Sequence, residues 1–171
     1  QSRHQHGTHS HSTKDPHYWL LPKNLAIMAE TMSQELSALF PDKEIIFKEN
    51  LEILQKELRK CDSLIKENLS QSHSKAFMIY HPSLSYFAKH YGLKQIPLEQ
   101  EGKEPSVKYM KSFLIQAQKQ GLKNIFIQKG FDISKAEAIS DETEGMLELI
   151  DPLAYDIPSE LIRISTLIAK N

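Results

Sequence analysis

The stretch AFMIYHPSLSYFAKHYGLKQIPL, residues 76–98, decides the fold. Ala76–Tyr80 is a short apolar run and reads as a strand. Ser83–Tyr91 follows with helical spacing, and Gly92 stops it where a left-handed cap is needed. Gln95–Leu98 then reads as a second strand. Strand, helix, glycine and strand in so few residues is a parallel β-α unit.

The same pattern continues to the end of the chain. A helix is predicted over Ser106–Gln120, a strand over Asn124–Ile127 and a helix over Ser134–Thr143. A fourth strand, Leu147–Ile150, and a closing helix, Ile157–Ala169, complete it. Gly121 and Gly145 fall just before strands, as Gly92 does. Pro105 and Ser106 suit a helix start. The fold class is therefore α/β: a four-stranded parallel sheet covered by helices on both faces. Periodicity leaves the strand order open.

Upstream, Leu25, Met28, Met32, Leu36 and Leu39 recur at helical gaps between Pro22 and Pro41. A longer helix runs from about Asp42 to Leu69, with Phe47, Leu51, Leu54, Leu58, Cys61 and Ile65 at alternating gaps of four and three. At 1.5 Å per residue it would be roughly 40 Å long. A strut between two lobes explains that length, and so does a short coiled-coil seam. Four segments are expected: 1–14, a His-rich loop; 15–41, a loop and helix; 42–70, the long helix; and 71–171, the α/β lobe.

Composition narrows the function. The chain has 171 residues, 40 % hydrophobic and 25 % charged, with a formal net charge of -1. No strong field points to nucleic acid or to an anionic membrane. No apolar run is long enough for a transmembrane segment. The single cysteine, Cys61, falls on an apolar helical stripe and reads as a small buried hydrophobe. The opening Gln1-Ser2-Arg3-His4 is polar, with no start Met and no signal segment, and reads as a chain cut from a longer one.

In an open α/β sheet, ligands bind beyond the carboxyl ends of the strands. His81 follows the first strand, Glu99 the second, Gln128 and Lys129 the third, and Asp151 the fourth. An imidazole and a carboxylate at two strand ends can face one crevice, and both are good ligands for a divalent metal. A capping or surface role for His81 and a turn role for Asp151 before Pro152 remain the plain alternatives. His17 lies in Asp15-Pro16-His17-Tyr18-Trp19-Leu20, a loop stiffened by proline and flanked by aromatic rings. Glu99 is a candidate partner for a ligand histidine. His4, His6, His9 and His11 form an imidazole-rich tract that gathers divalent metals weakly. His73 and His90 read as solvated surface residues.

These motifs, in this order, resemble the cluster A-I substrate-binding proteins, the ZnuA-type zinc receptors and their manganese relatives. The resemblance rests on the His-rich loop before Asp15-Pro16-His17-Tyr18-Trp19-Leu20 and on Tyr80-His81 with Tyr86–Leu93. It continues through Gly102-Lys103-Glu104-Pro105-Ser106, Asn124-Ile125-Phe126 and Ile150-Asp151-Pro152-Leu153. It covers nearly the whole chain and implies the C-terminal lobe of a bilobal metal receptor at 71–171, an inter-lobe helix at 42–70, and at 15–41 a remnant of the N-terminal lobe with a metal-ligand loop and helix. It also implies His17, His81 and Asp151 as metal ligands, with a fourth, a histidine, in a first lobe almost absent from this chain. The manganese receptors usually carry a carboxylate at the position of His81, so the imidazole favours Zn2+. The implied role is non-enzymatic: zinc capture in the periplasm, or at an extracytoplasmic surface, for the membrane permease of an ABC importer. Manganese or nickel as the cargo is the alternative. A metallo-hydrolase or a receiver-like domain is disfavoured: no His-Glu-x-x-His or phosphate-cradling glycine loop occurs, and His81 stands where an acidic cluster would be wanted.

Overall fold

The computed structural model describes residues 15–99, 106–132, 137 and 146–170. Helix α1, Pro22–Leu39, is followed by a 3-10 turn at Pro41–Lys43 and by helix α2, Glu44–Ser70. Strand β1, Ala76–Ile79, helix α3, Ser85–His90, and strand β2, Lys94–Pro97, come next. Helix α4, Val107–Gln120, strand β3, Asn124–Gln128, strand β4, Met146–Ile150, and helix α5, Ile157–Ala169, complete the described elements. Apart from residue 137, the predicted helix over 134–143 lies outside the described residues, as do Gly145, the Gly102–Pro105 segment and the histidines of 1–14.

The four strands are all parallel, in the order β2-β1-β3-β4. Two apolar layers follow from the pleat, which sends alternate side chains to opposite faces. Phe77, Ile79 and Phe126 face one layer, with α2, α3 and α5 contributing Ile65, Phe87 and Ile164. Ala76, Met78 and Ile125 face the other, beneath Phe113 and Ala117 of α4. Phe77 and Phe126 meet edge to face, with centroids 5.9 Å apart, at the centre of the first layer. Truncating either ring to alanine would cost about 3–5 kcal/mol.

The predicted boundaries hold to within about two residues. Helix α3 begins at Ser85 rather than Ser83 because the preceding residues are engaged otherwise. The Ser83 amide donates to the His81 carbonyl at 2.7 Å, and the Leu84 amide to Gln95 Oε1 at 2.8 Å. Gly92 and Gly121 take positive φ, 67° and 64°, as the helix stops require. Helix α4 opens on an Ser106 cap and α5 on an Asp156 cap, whose side chains accept from the Tyr109 and Ser159 amides.

Helix α2 changes partner along its length. Its C-terminal half buries Leu58, Cys61, Ile65 and Leu69 against the lobe. There Asn68 donates to Ser165 and Thr166 of α5, and the Cys61 thiol to the Pro158 carbonyl. Burial, followed by the charges of Asp62 and Asp156, pushes that thiol up to about 12, so Cys61 packs rather than reacts. The N-terminal half packs on α1 and leaves Ile45, Ile46 and Ile53 exposed, as α1 leaves Met32 and Leu39. Among the described residues no helix is long and apolar enough to cross a membrane.

Candidate metal centre

Three loops converge beyond the carboxyl ends of β1, β3 and β4. With the loop that carries His17 and Trp19 they line an open cavity of about 270 Å³, to which His81, Gln128, Lys129 and Asp151 also contribute. The strand order explains this: β1, β3 and β4 are adjacent, so the residues after them are neighbours.

His81 leaves the end of β1 and is held from below. Gln128, buried at the end of β3, donates through Nε2 to the His81 carbonyl at 2.6 Å and to Ser83 Oγ at 2.7 Å. The His81 ring presents Nδ1 to Glu99 Oε2 at 2.8 Å. Glu99 follows β2, the neighbour of β1 on the other side, and this brings its carboxylate to the His81 ring. The ring of Phe131 stacks on His81, with centroids 5.5 Å apart and planes at 25°.

His17 reaches the cavity from the opposite end of the chain, on a loop pinned to the lobe. Leu20 is buried in the main core layer. The Trp19 indole donates to the Pro152 carbonyl at 2.8 Å, and the Tyr86 hydroxyl to the Asp15 carbonyl at 3.1 Å. The loop is also folded on itself: Asp15 Oδ1 accepts from the His17 amide at 2.9 Å and faces His17 Nδ1 at 2.7 Å. The His17 and His81 rings come to 5.2 Å, centroid to centroid, at 73°.

The two histidines thus share one arrangement. A carboxylate facing Nδ1 selects the tautomer protonated there and leaves the Nε2 lone pair for a metal. Among the described residues Asp15, Glu99 and Asp151 stand against the ammonium of Lys129, a surplus of negative charge suited to a divalent cation.

Asp151 lies on the same cavity but is committed elsewhere. Its Oδ1 accepts from the Leu153 amide at 3.1 Å and its Oδ2 pairs with Lys129 Nζ at 3.3 Å. Its own amide donates to Glu160 Oε1 at 2.8 Å. Burial pushes the Glu160 carboxyl up, but the bonds from Arg163 and from the Asp151 amide outweigh it and hold it below the usual range. Among the described residues no three His, Cys, Asp or Glu side chains form a ready metal-binding group. The structure therefore brings His17 and His81 side by side and sets Asp151 on the rim. His90 is on the exposed face of α3, 3.8 Å from Asp62, and His73 is exposed, as read from the sequence.

Sequence reasoning missed Asp15 as the partner of His17, although the Asp-x-His spacing carried that signal. It named Gln128 and Lys129 as strand-end residues without a role. Phe131 had no sequence signal.

Comparison with known proteins identifies the family and the fold. The model of the family described as "ZnuA: Zinc-uptake complex component A periplasmic" matches residues 1–161. A crystal structure of ZnuA superposes with a TM-score of 0.87 at 36 % identity, over 91 % of this chain and 61 % of that one. A zinc-bound deletion mutant of ZnuA gives 0.85 at 36 % identity, over 91 % and 60 %. The zinc-binding lipoprotein AdcA of Streptococcus pneumoniae is 29 % identical over 153 residues, 88 % of this chain and 30 % of that protein. A putative metal-binding protein of Chlamydia muridarum is 29 % identical over 156 residues, 91 % and 56 % of the two chains. The chain thus spans less than two thirds of the length of each of these relatives.

Proposed function

This chain belongs to the family described as zinc-uptake complex component A, and from that premise we propose that it holds Zn2+ for delivery to the permease of an ABC importer. The observation that carries this reading is the pair His17 and His81, in ring contact and each backed at Nδ1 by a carboxylate. Two neutral imidazoles presenting Nε2 suit zinc better than manganese, which prefers oxygen.

In this reading His17, His81 and Asp151 are the ligands, and a histidine of a first lobe completes a tetrahedral shell in the whole protein. Residues 15–41 carry one ligand loop and a helix belonging to that lobe, 42–70 link the lobes, and 71–171 form the second. The exposed isoleucines of the N-terminal half of α2 support this division, since they form an apolar face of the kind a further lobe covers. The histidines at 4, 6, 9 and 11 act as an auxiliary, weaker collector. The protein works as a receptor in the periplasm or anchored at the outer cell surface. It is not an enzyme: a closed ligand shell offers no open coordination position for a reacting water.

The test is zinc titration of the full chain with His4, His6, His9 and His11 changed to Gln, beside the same chain also carrying His17→Ala, His81→Ala and Asp151→Ala. One equivalent bound by the first and none by the second supports the site. Equal binding by both rejects it, and preference for manganese would replace the cargo.

A further inference from the structure

The loop after β3 carries none of the three proposed ligands, yet it touches two of them. The Lys129 amide donates to the Ile150 carbonyl at 2.8 Å and so continues the β3–β4 ladder. The Phe131 amide then closes a turn on the Gln128 carbonyl at 3.2 Å. Gly130, at φ 94°, supplies the left-handed step that reverses the chain. The turn thereby lays Phe131 over His81 and sends Lys129 toward Asp151, where Nζ stands 3.3 Å from Oδ2.

Both oxygens of Asp151 are engaged, but unequally. Oδ1 is held by a backbone amide within its own turn. Among the described residues Oδ2 is held only by Lys129, whose side chain is 69 % exposed against 33 % for the aspartate. An ion pair this exposed is weak and opens readily. Oδ2 is thus the atom a metal can take without breaking the backbone turn.

We propose that Lys129 is an internal competitor for the metal: its ammonium holds Asp151 Oδ2, and a divalent cation binds by displacing it. The inference rests on the zinc-receptor reading above. A monovalent cation gains nothing at Asp151, because the lysine already supplies one positive charge there. A divalent ion brings twice that charge and also recruits His17 and His81, so it wins the exchange. On release the ammonium returns, and the carboxylate is not left unpaired. Lys129 therefore sets both the charge threshold of the site and an upper limit on its affinity.

Two measurements on the full chain, with the four histidines of 1–14 changed to Gln, test this. Lys129→Met should tighten Zn2+ binding about two- to fivefold in competition with a chromophoric chelator, the size of one exposed ion pair. Lys129→Arg, which keeps the charge, should gain less. Second, added Zn2+ should raise acylation of the Lys129 amine severalfold, read by peptide mass spectrometry. Acylation of Lys48, on the outlying half of α2, should not change. Unchanged affinity in Lys129→Met overturns the proposal, and so does tighter binding without any zinc-dependent gain in Lys129 labelling. If the unsubstituted lysine chain takes up zinc that His81→Ala does not abolish, or takes up none, the receptor site itself is wrong and the proposal falls with it.

Discussion

The indole N–H of Trp19 donates to the Pro152 carbonyl oxygen at 2.8 Å, joining two loops 133 residues apart in the chain. One loop carries His17 and the other Asp151, so this bond sets the distance between two proposed ligands. Trp19→Phe keeps an aromatic ring and removes only the donor. It should lower stability by about 1 kcal/mol, the usual worth of such a bond. Zinc affinity should fall as well, while denaturant unfolding stays cooperative. Loss of stability with unchanged zinc affinity would separate the bond from the site.

The carboxylates behind the histidines should matter nearly as much as the ligands. Glu99→Ala and Asp15→Ala should each weaken zinc binding by about 10- to 100-fold, because they orient the ring and select its tautomer. Glu99→Gln should cost less, since an amide oxygen still accepts from Nδ1. Nitrogen chemical shifts of the His81 ring would report the change of tautomer directly.

Gln128 is buried and holds both the His81 carbonyl and the Ser83 hydroxyl. Gln128→Leu removes both bonds, leaving the His81 carbonyl with the Ser83 amide alone and taking this donor from the Ser83 hydroxyl, and should destabilise the chain by about 1–3 kcal/mol. Hydrogen exchange should then rise first at residues 81–84.

The contact between α2 and α3 should give stability a pH dependence of definite sign. Burial pushes the Asp62 carboxyl up, but hydrogen bonds with Lys66 and Tyr91, at 2.6 and 2.8 Å, outweigh it and hold it below the ordinary range. Its contribution is complete above the ordinary aspartate pKa of about 3.9 and is lost as pH falls through the native value. Tyr91 is raised, first by burial and then by its bond to Asp62. Its contribution is complete below the ordinary value of about 10 and is lost as pH rises through the native one. Melting temperature against pH should show both limbs, with Asp62→Asn flattening the acid limb and Tyr91→Phe the alkaline one.

Zinc should stabilise the folded chain by mass action. At free zinc about 100 times the dissociation constant, the gain is about 2.7 kcal/mol. A chelator should reverse it. The thermal shift should vanish in His81→Ala, whatever the state of the histidines at 4, 6, 9 and 11, if it comes from the centre rather than the tail.

Much of this was legible in the residues. Short apolar runs at 76, 95, 124 and 147, each separated by helical spacing, specify parallel β-α units, because side-chain direction repeats with the backbone at two or 3.6 residues. His81 and Asp151 could be nominated because each ends a strand. His17 could be nominated from its aromatic, proline-stiffened loop. Glu99 could be named as a candidate partner for a ligand histidine, but which histidine it meets was decided by packing. Only the packed chain decided the order β2-β1-β3-β4, which makes the loops after β1, β3 and β4 neighbours. Only packing laid the residue 15–21 loop on the lobe through Leu20, Trp19 and Tyr86, and so put His17 against His81. Lys129 on Asp151 and Phe131 on His81 likewise follow from one turn at Gly130. Local pattern records which face of an element is buried. It does not record which distant element buries it, because that choice is made by contacts whose energies depend on the whole assembled core.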